Sequence, residues 1–173
     1  MVGSNIKYRG NFVHNDGLNY GVDAAIAEIK DIKIRPLENI LKFDARDKRT
    51  EQKFWSIKAI KLSGIIQNWQ EFHDHFTQDK EVYKIGAATK FTVGQLSTIR
   101  ADFNYNGCGF TPTNQLVVTG SNGLFCDRGD SGSIVWNADG KVVGLLYAGL
   151  GTGEGIITPI YAVLDYFNVE LDI

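Results

Sequence analysis

The residues Asp127-Arg128-Gly129-Asp130-Ser131-Gly132-Ser133 carry the clearest chemistry in this chain. A serine framed by glycines, ahead of the apolar run Ile134-Val135-Trp136, belongs on a tight bend that aims a hydroxyl and main-chain amides at one point. Acyl transfer needs that arrangement: a hydroxyl made nucleophilic by a base, and donors for the oxyanion. Other reactive side chains are few, chiefly His14, His73, His75, Cys108 and Cys126. His73-Asp74-His75, near Glu71, invites a metal reading. Two histidines without further ligand spacing make a weak one, and a solvated helix face accounts for them better.

The elements that must hold such a bend can be read from the pattern of apolar residues. Residues 1–34 contain two strands, Ile6–Val13 and Tyr20–Ile29, punctuated by Asn15-Asp16-Gly17. Residues 35–80 change character: Arg35-Pro36 breaks the strand, a charged stretch runs from Lys42 to Lys53, and a helix is expected over Gln67–Phe76. From residue 81 the pattern is β again. Strands are expected at Val82–Gly86, Thr92–Ile99, Asn114–Thr119, Gly132–Trp136, Lys141–Ala148 and Gly155–Thr158, with turns at Ala87–Lys90 and Asn137-Ala138-Asp139-Gly140. Short antiparallel strands with glycine-rich turns predict a small barrel. Thr158-Pro159 would be the cap and first residue of a closing helix, whose Ile160, Val163, Leu164 and Phe167 form one apolar face.

Composition sets outer limits. At 173 residues and 43% hydrophobic, the chain can bury a core as one domain or two small lobes. A net charge of −2 provides no basic field for nucleic acid. No apolar stretch approaches the roughly 20 residues of a membrane span. The N-terminus lacks the layout of a secretory signal, so the compartment stays open, with the cytoplasm slightly favoured. Cys108 and Cys126 could form one disulfide or remain two reduced thiols, the thiol reading being preferred.

Val22-Asp23-Ala24-Ala25-Ile26-Ala27, Val82-Tyr83-Lys84-Ile85-Gly86, Gly129–Ser133 and Ile157-Thr158-Pro159-Ile160, in that order, resemble trypsin-like serine peptidases, and the divergent microbial, fungal and plant members most. The resemblance covers about residues 20–34 and 82–170. It implies a mostly β, chymotrypsin-like fold: a partial N-terminal barrel in residues 1–34, a connector with a helical segment in 35–80, and a complete six-stranded antiparallel barrel with a C-terminal helix in 81–173. Residue by residue it makes Ser131 the nucleophile, Gly129 and Ser131 the donors of the oxyanion hole, and Asp23 the acid that orients a histidine. Asp130 would hold the bend through an ionic partner, either a freed N-terminus or the neighbouring Arg128. Phe125 matches the floor of the specificity pocket, where an apolar group disfavours Arg and Lys. Tyr147, Ala148 and Gly149 match the strand that pairs with an extended substrate.

The base is the gap. The chain order of this fold is His, Asp, Ser, and only His14 precedes Asp23. A hairpin turning at Asn15-Asp16-Gly17 places His14 about four residues from Asp23, roughly 13 Å at strand rise. Without a base, about 10⁶ in turnover is lost. The expected function is therefore a serine endopeptidase acting on peptides or proteins without a cofactor, incomplete here, its first barrel finished by a further N-terminal segment or a partner chain. The alternative is a silent pseudoprotease that binds a peptide or protein.

Two other motifs carry less. Gly149-Leu150-Gly151-Thr152-Gly153-Glu154-Gly155 lacks the Gly-Lys-Ser/Thr ending of a phosphate loop and reads as a pocket rim. Phe54, Trp55, Trp69, Phe72 and Phe76 read as a satellite core under the connector, or as a docking surface.

Overall fold

The computed structural model describes residues 2–29, 62–104, 110–171 and 173. The Arg35-Pro36 break, the charged stretch Lys42–Lys53, Phe54, Trp55 and Cys108 lie outside the described residues.

The chain opens with a hairpin, β1 (Val2–Val13) and β2 (Asn19–Ile29), turning at Asn15-Asp16-Gly17. Gly17 takes a φ of +78°, the left-handed geometry that the turn requires. Helix α1 (Trp69–Gln78) is capped by Asn68, whose side chain accepts from the Glu71 N–H at 2.9 Å, while the Glu71 carboxylate accepts from Gln67 N–H at 2.9 Å. That reciprocal cap starts the helix two residues later than the periodicity alone suggests.

The barrel consists of β4 (Glu81–Gly86), β5 (Lys90–Ala101), β6 (Gln115–Gly120), β7 (Ile134–Asn137), β8 (Lys141–Gly149) and β9 (Gly155–Pro159). Strands run in the order β8-β7-β4-β5-β6-β9, all antiparallel, and β8 pairs with β9 to close the ring. Closure removes the sheet edges that would otherwise be left unpaired. The sequence pattern did not reveal β3 (Gly64–Ile65), which lies parallel to the start of β8 with Gly64 opposite Lys141. Two residues are too short a run to leave a periodic signature.

Tyr20, Phe72, Val82, Leu116, Val118, Phe125, Val135, Leu146 and Ile157 share one apolar cluster. Trp69, Phe72 and Phe76 stack along α1 and join that same cluster, so they form part of the main core and not a satellite. Helix α2 (Ile160–Phe167) starts one residue later than expected, because Pro159 ends β9 and serves as the N-cap. Thr158 does not cap it; its Oγ1 donates to Gln115 Oε1 at 2.8 Å. The first five residues of α2 are all buried, where one apolar face was expected. The reason is that α2 is covered on two sides: Ile160 and Leu164 pack with Tyr83, Val93 and Trp136 of the barrel, whereas Tyr161 meets Tyr20 of the hairpin, hydroxyl to hydroxyl at 2.9 Å.

The hairpin is docked on the barrel by polar contacts as well, one of them buried. Gln115, fully buried, donates through Nε2 to the carbonyls of Gly21 (2.9 Å) and Thr113 (2.8 Å). Thr113 Oγ1 and Asn114 Nδ2 both donate to the Asn19 carbonyl at 2.8 Å. These contacts hold β2 against the barrel and so set the height of Asp23.

Candidate active site

Ser131 lies between Cys126 and β7 on a bend that exposes it to solvent. Gly129 takes a φ of +104° and Gly132 one of +87°, backbone states in which side chains are strained. The bend is closed by Asp130 N–H to Asp127 O (3.1 Å), Ser133 N–H to Asp130 O (3.0 Å) and Ser133 Oγ to Asp130 O (2.5 Å). Its far end is tied to β8, Gly132 N–H donating to Leu146 O at 2.7 Å and Leu146 N–H to Ser133 O at 2.9 Å. Among the described residues, neither the Gly129 N–H nor the Ser131 N–H has an acceptor. In so heavily bonded a bend, two unused donors two residues apart, one of them on the serine itself, supply what an oxyanion site needs.

Asp130 fixes the bend from beneath. It is fully buried and accepts from Lys84 Nζ (3.0 Å), Thr89 Oγ1 (2.6 Å), and the N–H groups of Ala88 (2.7 Å), Thr89 (3.2 Å) and Asp127 (3.1 Å). Burial alone would raise this carboxyl, but the hydrogen bonds from Thr89, Lys84 and the backbone amides reverse that and hold it far below the ordinary carboxylate range. For Lys84, burial pulls the ammonium below its ordinary value against the opposing attraction of Asp130. The ionic partner of Asp130 among the described residues is Lys84 of β4, and not Arg128. The pair also explains Gly86, where a Cβ would come within 2.2 Å of Asp130 Oδ1. The signal available in the sequence was a lysine inside the apolar run Val82-Tyr83-Lys84-Ile85, two residues before a glycine.

Asp23, Ala24 and Ala25 of β2 share a cleft of about 400 Å³ with Ser131, Gly132, Leu145, Leu146 and Tyr147. Asp23 and Ser131 thus face one space from opposite lobes. The described residues lining it include no histidine. His14, in the hairpin turn, lines a different cleft with Asp165 and Asn168. Its Nδ1 accepts from the Asp16 N–H at 3.2 Å and its Nε2 lies 2.7 Å from Asp165 Oδ2, so both ring nitrogens are engaged away from Ser131. The partner of Asp23 is Arg9, directly opposite on β1, with Nε and Nη2 at 2.8 and 2.7 Å from Oδ2. His73 and His75 face Asp74 and Asp139 at 3.9 and 3.6 Å. No group of three or more His, Cys, Asp or Glu among the described residues is placed to hold a metal.

A second cleft, about 410 Å³, opens beside Ser131. Leu124, Cys126, Gly129, Tyr147, Ala148 and Gly149 line it, with the glycine-rich loop Leu150–Gly153 at its rim and Asp127 and Arg128 at one side. Phe125 itself is fully buried in the barrel core, with Lys84 Nζ 5.5 Å from its ring centroid, and its neighbours Leu124 and Cys126 are the side chains that reach the cleft. Cys126 is a free, buried thiol, raised by desolvation, and Sγ donates to the Glu154 carbonyl at 3.4 Å. Past Leu146, β7 has ended, and β8 continues in its pairing with β9.

The model of Peptidase family S64 matches residues 5–172, nearly the whole chain. The chain belongs to peptidase family S64. S64 is a family of serine peptidases, and the bend at Ser131 lies within the matched region. No curated protein sequence matches this S64 chain significantly. Among solved structures it is similar to a chymotrypsin of Cellulomonas bogoriensis, with 16% identity over 65% of this chain and 56% of that one, at a TM-score of 0.51. It is also similar to protease A of Thermobifida fusca (20% identity, 63% and 53% covered, TM-score 0.49). A glutamic acid specific serine protease shares 24% identity over 51% of this chain and 46% of its own, at a TM-score of 0.44. The first of these supports the chymotrypsin-like fold. The S64 chain spans about half the length of these structures.

Proposed function

We propose that this chain supplies the nucleophile, the oxyanion donors and the orienting acid of a serine endopeptidase. Its general base is a histidine supplied by a further N-terminal segment or a partner chain that completes the first lobe. Ser131 Oγ attacks the scissile carbonyl. The N–H groups of Gly129 and Ser131 receive the oxyanion, and Asp23 steadies the imidazolium formed when the histidine takes the serine proton. The observation that carries this reading is the exposed Ser131 hydroxyl beside two unused main-chain donors, in a cleft shared with Asp23.

The substrate is a peptide laid along β8 at Ala148 and Gly149, with one side chain in the cleft between Leu124, Cys126 and Tyr147. That lining suits a small or medium apolar side chain. Phe125 supports it from behind, inside the core. Losing one oxyanion donor costs on the order of 10²–10³ in rate, whereas losing the base costs about 10⁶, so the chain without the histidine is nearly silent.

A fluorophosphonate probe tests the reading. With the histidine-bearing segment present, Ser131 is labelled, and Ser131→Ala abolishes labelling. Without the segment, labelling is slower by several orders of magnitude. An assembled protein that stays unlabelled while a control peptidase reacts would sink the enzymatic reading and leave a peptide-binding module.

A further inference from the structure

We propose that Arg9 is a positioning residue for Asp23, and this rests on the assignment of Asp23 as the orienting acid. The hairpin register places Arg9 directly across from Asp23. Its Nε donates to one carboxylate oxygen, Oδ2, at 2.8 Å, and Nη2 lies 2.7 Å from the same oxygen. Among the described residues nothing donates to Oδ1. An orienting carboxylate needs one oxygen for the imidazole N–H, so a guanidinium that occupies the other fixes the rotation of the carboxylate and leaves the working oxygen available.

Arg9 is held from its other side as well. Its guanidinium carbon sits 5.7 Å from the Phe110 ring centroid, and the Phe110 ring meets Tyr147 edge-on at 6.4 Å. Tyr147 lines both clefts that contain Ser131. The sequence of contacts Asp23–Arg9–Phe110–Tyr147 therefore spans the gap between the hairpin and the substrate-binding strand, tying the acid of one lobe to the nucleophile of the other. The Arg9 and Asp23 side chains are 52% and 33% exposed, and pairs this open to water add little to stability. Arg9 thus acts on geometry and not on folding.

The test uses the peptidase with its first lobe complete. Arg9→Ala lowers kcat by about tenfold or more with KM within about twofold, because orientation is lost while substrate contacts remain. Thermal stability stays within about a degree of wild type. Arg9→Lys recovers only part of the loss, since an ammonium lacks the fork. Millimolar methylguanidinium restores Arg9→Ala and does nothing for Asp23→Asn. If Asp23→Asn is inactive but Arg9→Ala turns over like wild type, the positioning role is wrong and the acid assignment stands. If Asp23→Asn keeps full activity, the acid assignment falls and the role of Arg9 with it. A loss in Arg9→Ala that tracks a lowered melting temperature and resists methylguanidinium also overturns the proposal.

Discussion

The most demanding position in the molecule is Asp130, a carboxylate with no solvent contact that accepts hydrogen bonds from three backbone amides, a hydroxyl and an ammonium. A buried ion pair is not in itself a source of stability, but deleting one partner strands the other, at about 3–5 kcal/mol. Lys84→Met is accordingly expected to cost that much by denaturant unfolding and to disorder the bend, which calorimetry and probe labelling of Ser131 would both register. The pH dependence has a definite sign. Asp130 is depressed in the folded state, so its contribution is fully present above the ordinary carboxylate value of about 3.9 and is lost as pH falls below it. Wild type should lose stability steadily on acidification below about pH 4, and Lys84→Met should show a flatter slope from a lower starting point. The glycine-framed bend at Ser131 was legible from residue types and order. Lys84 was not, because a strand pattern reports which side chains alternate and not which carboxylate they meet across the barrel.

At the scale of elements, Gln115 is the residue that joins the hairpin to the barrel. Its amide donates to Gly21 and Thr113 and accepts from Thr158, so β6, β2 and β9 meet at one buried group. Gln115→Leu keeps the volume but strands the Gly21 carbonyl and the Thr158 hydroxyl, each worth about 1–3 kcal/mol when buried unsatisfied. The expected outcome is a lower melting temperature and faster amide exchange in β2, with the β4–β5 hairpin little changed. The barrel strands were readable within a residue or two because glycine-rich turns separate apolar runs. The covering of α2 was not readable. Its pattern shows one apolar stripe, and burial of its whole first turn depends on the hairpin lying against it.

The molecule as a whole is unequal in its two parts. Among the described residues, six strands close on themselves, while β1 and β2 form a sheet of two. Among the described residues, most amides of the closed barrel have a ladder neighbour, whereas the outer edges of the hairpin have none. Hydrogen exchange should therefore run at least about tenfold faster in β1–β2 than in β4–β9. Addition of the histidine-bearing segment proposed above should slow the hairpin and leave the barrel unchanged. Equal protection of both parts in the chain alone would argue that the first lobe needs no completion.

The sequence alone determined where the six strands of the barrel lie along the chain and the glycine-framed bend that presents Ser131, because each depends on local patterning or on which residue types are present. Only the tertiary structure decided that Lys84 neutralises Asp130, that Arg9 grips Asp23, and that Leu124 and Cys126 rather than Phe125 face the cleft. Those outcomes depend on which side chains meet when separate strands are wrapped into a closed ring, and chain periodicity carries no record of distance across it.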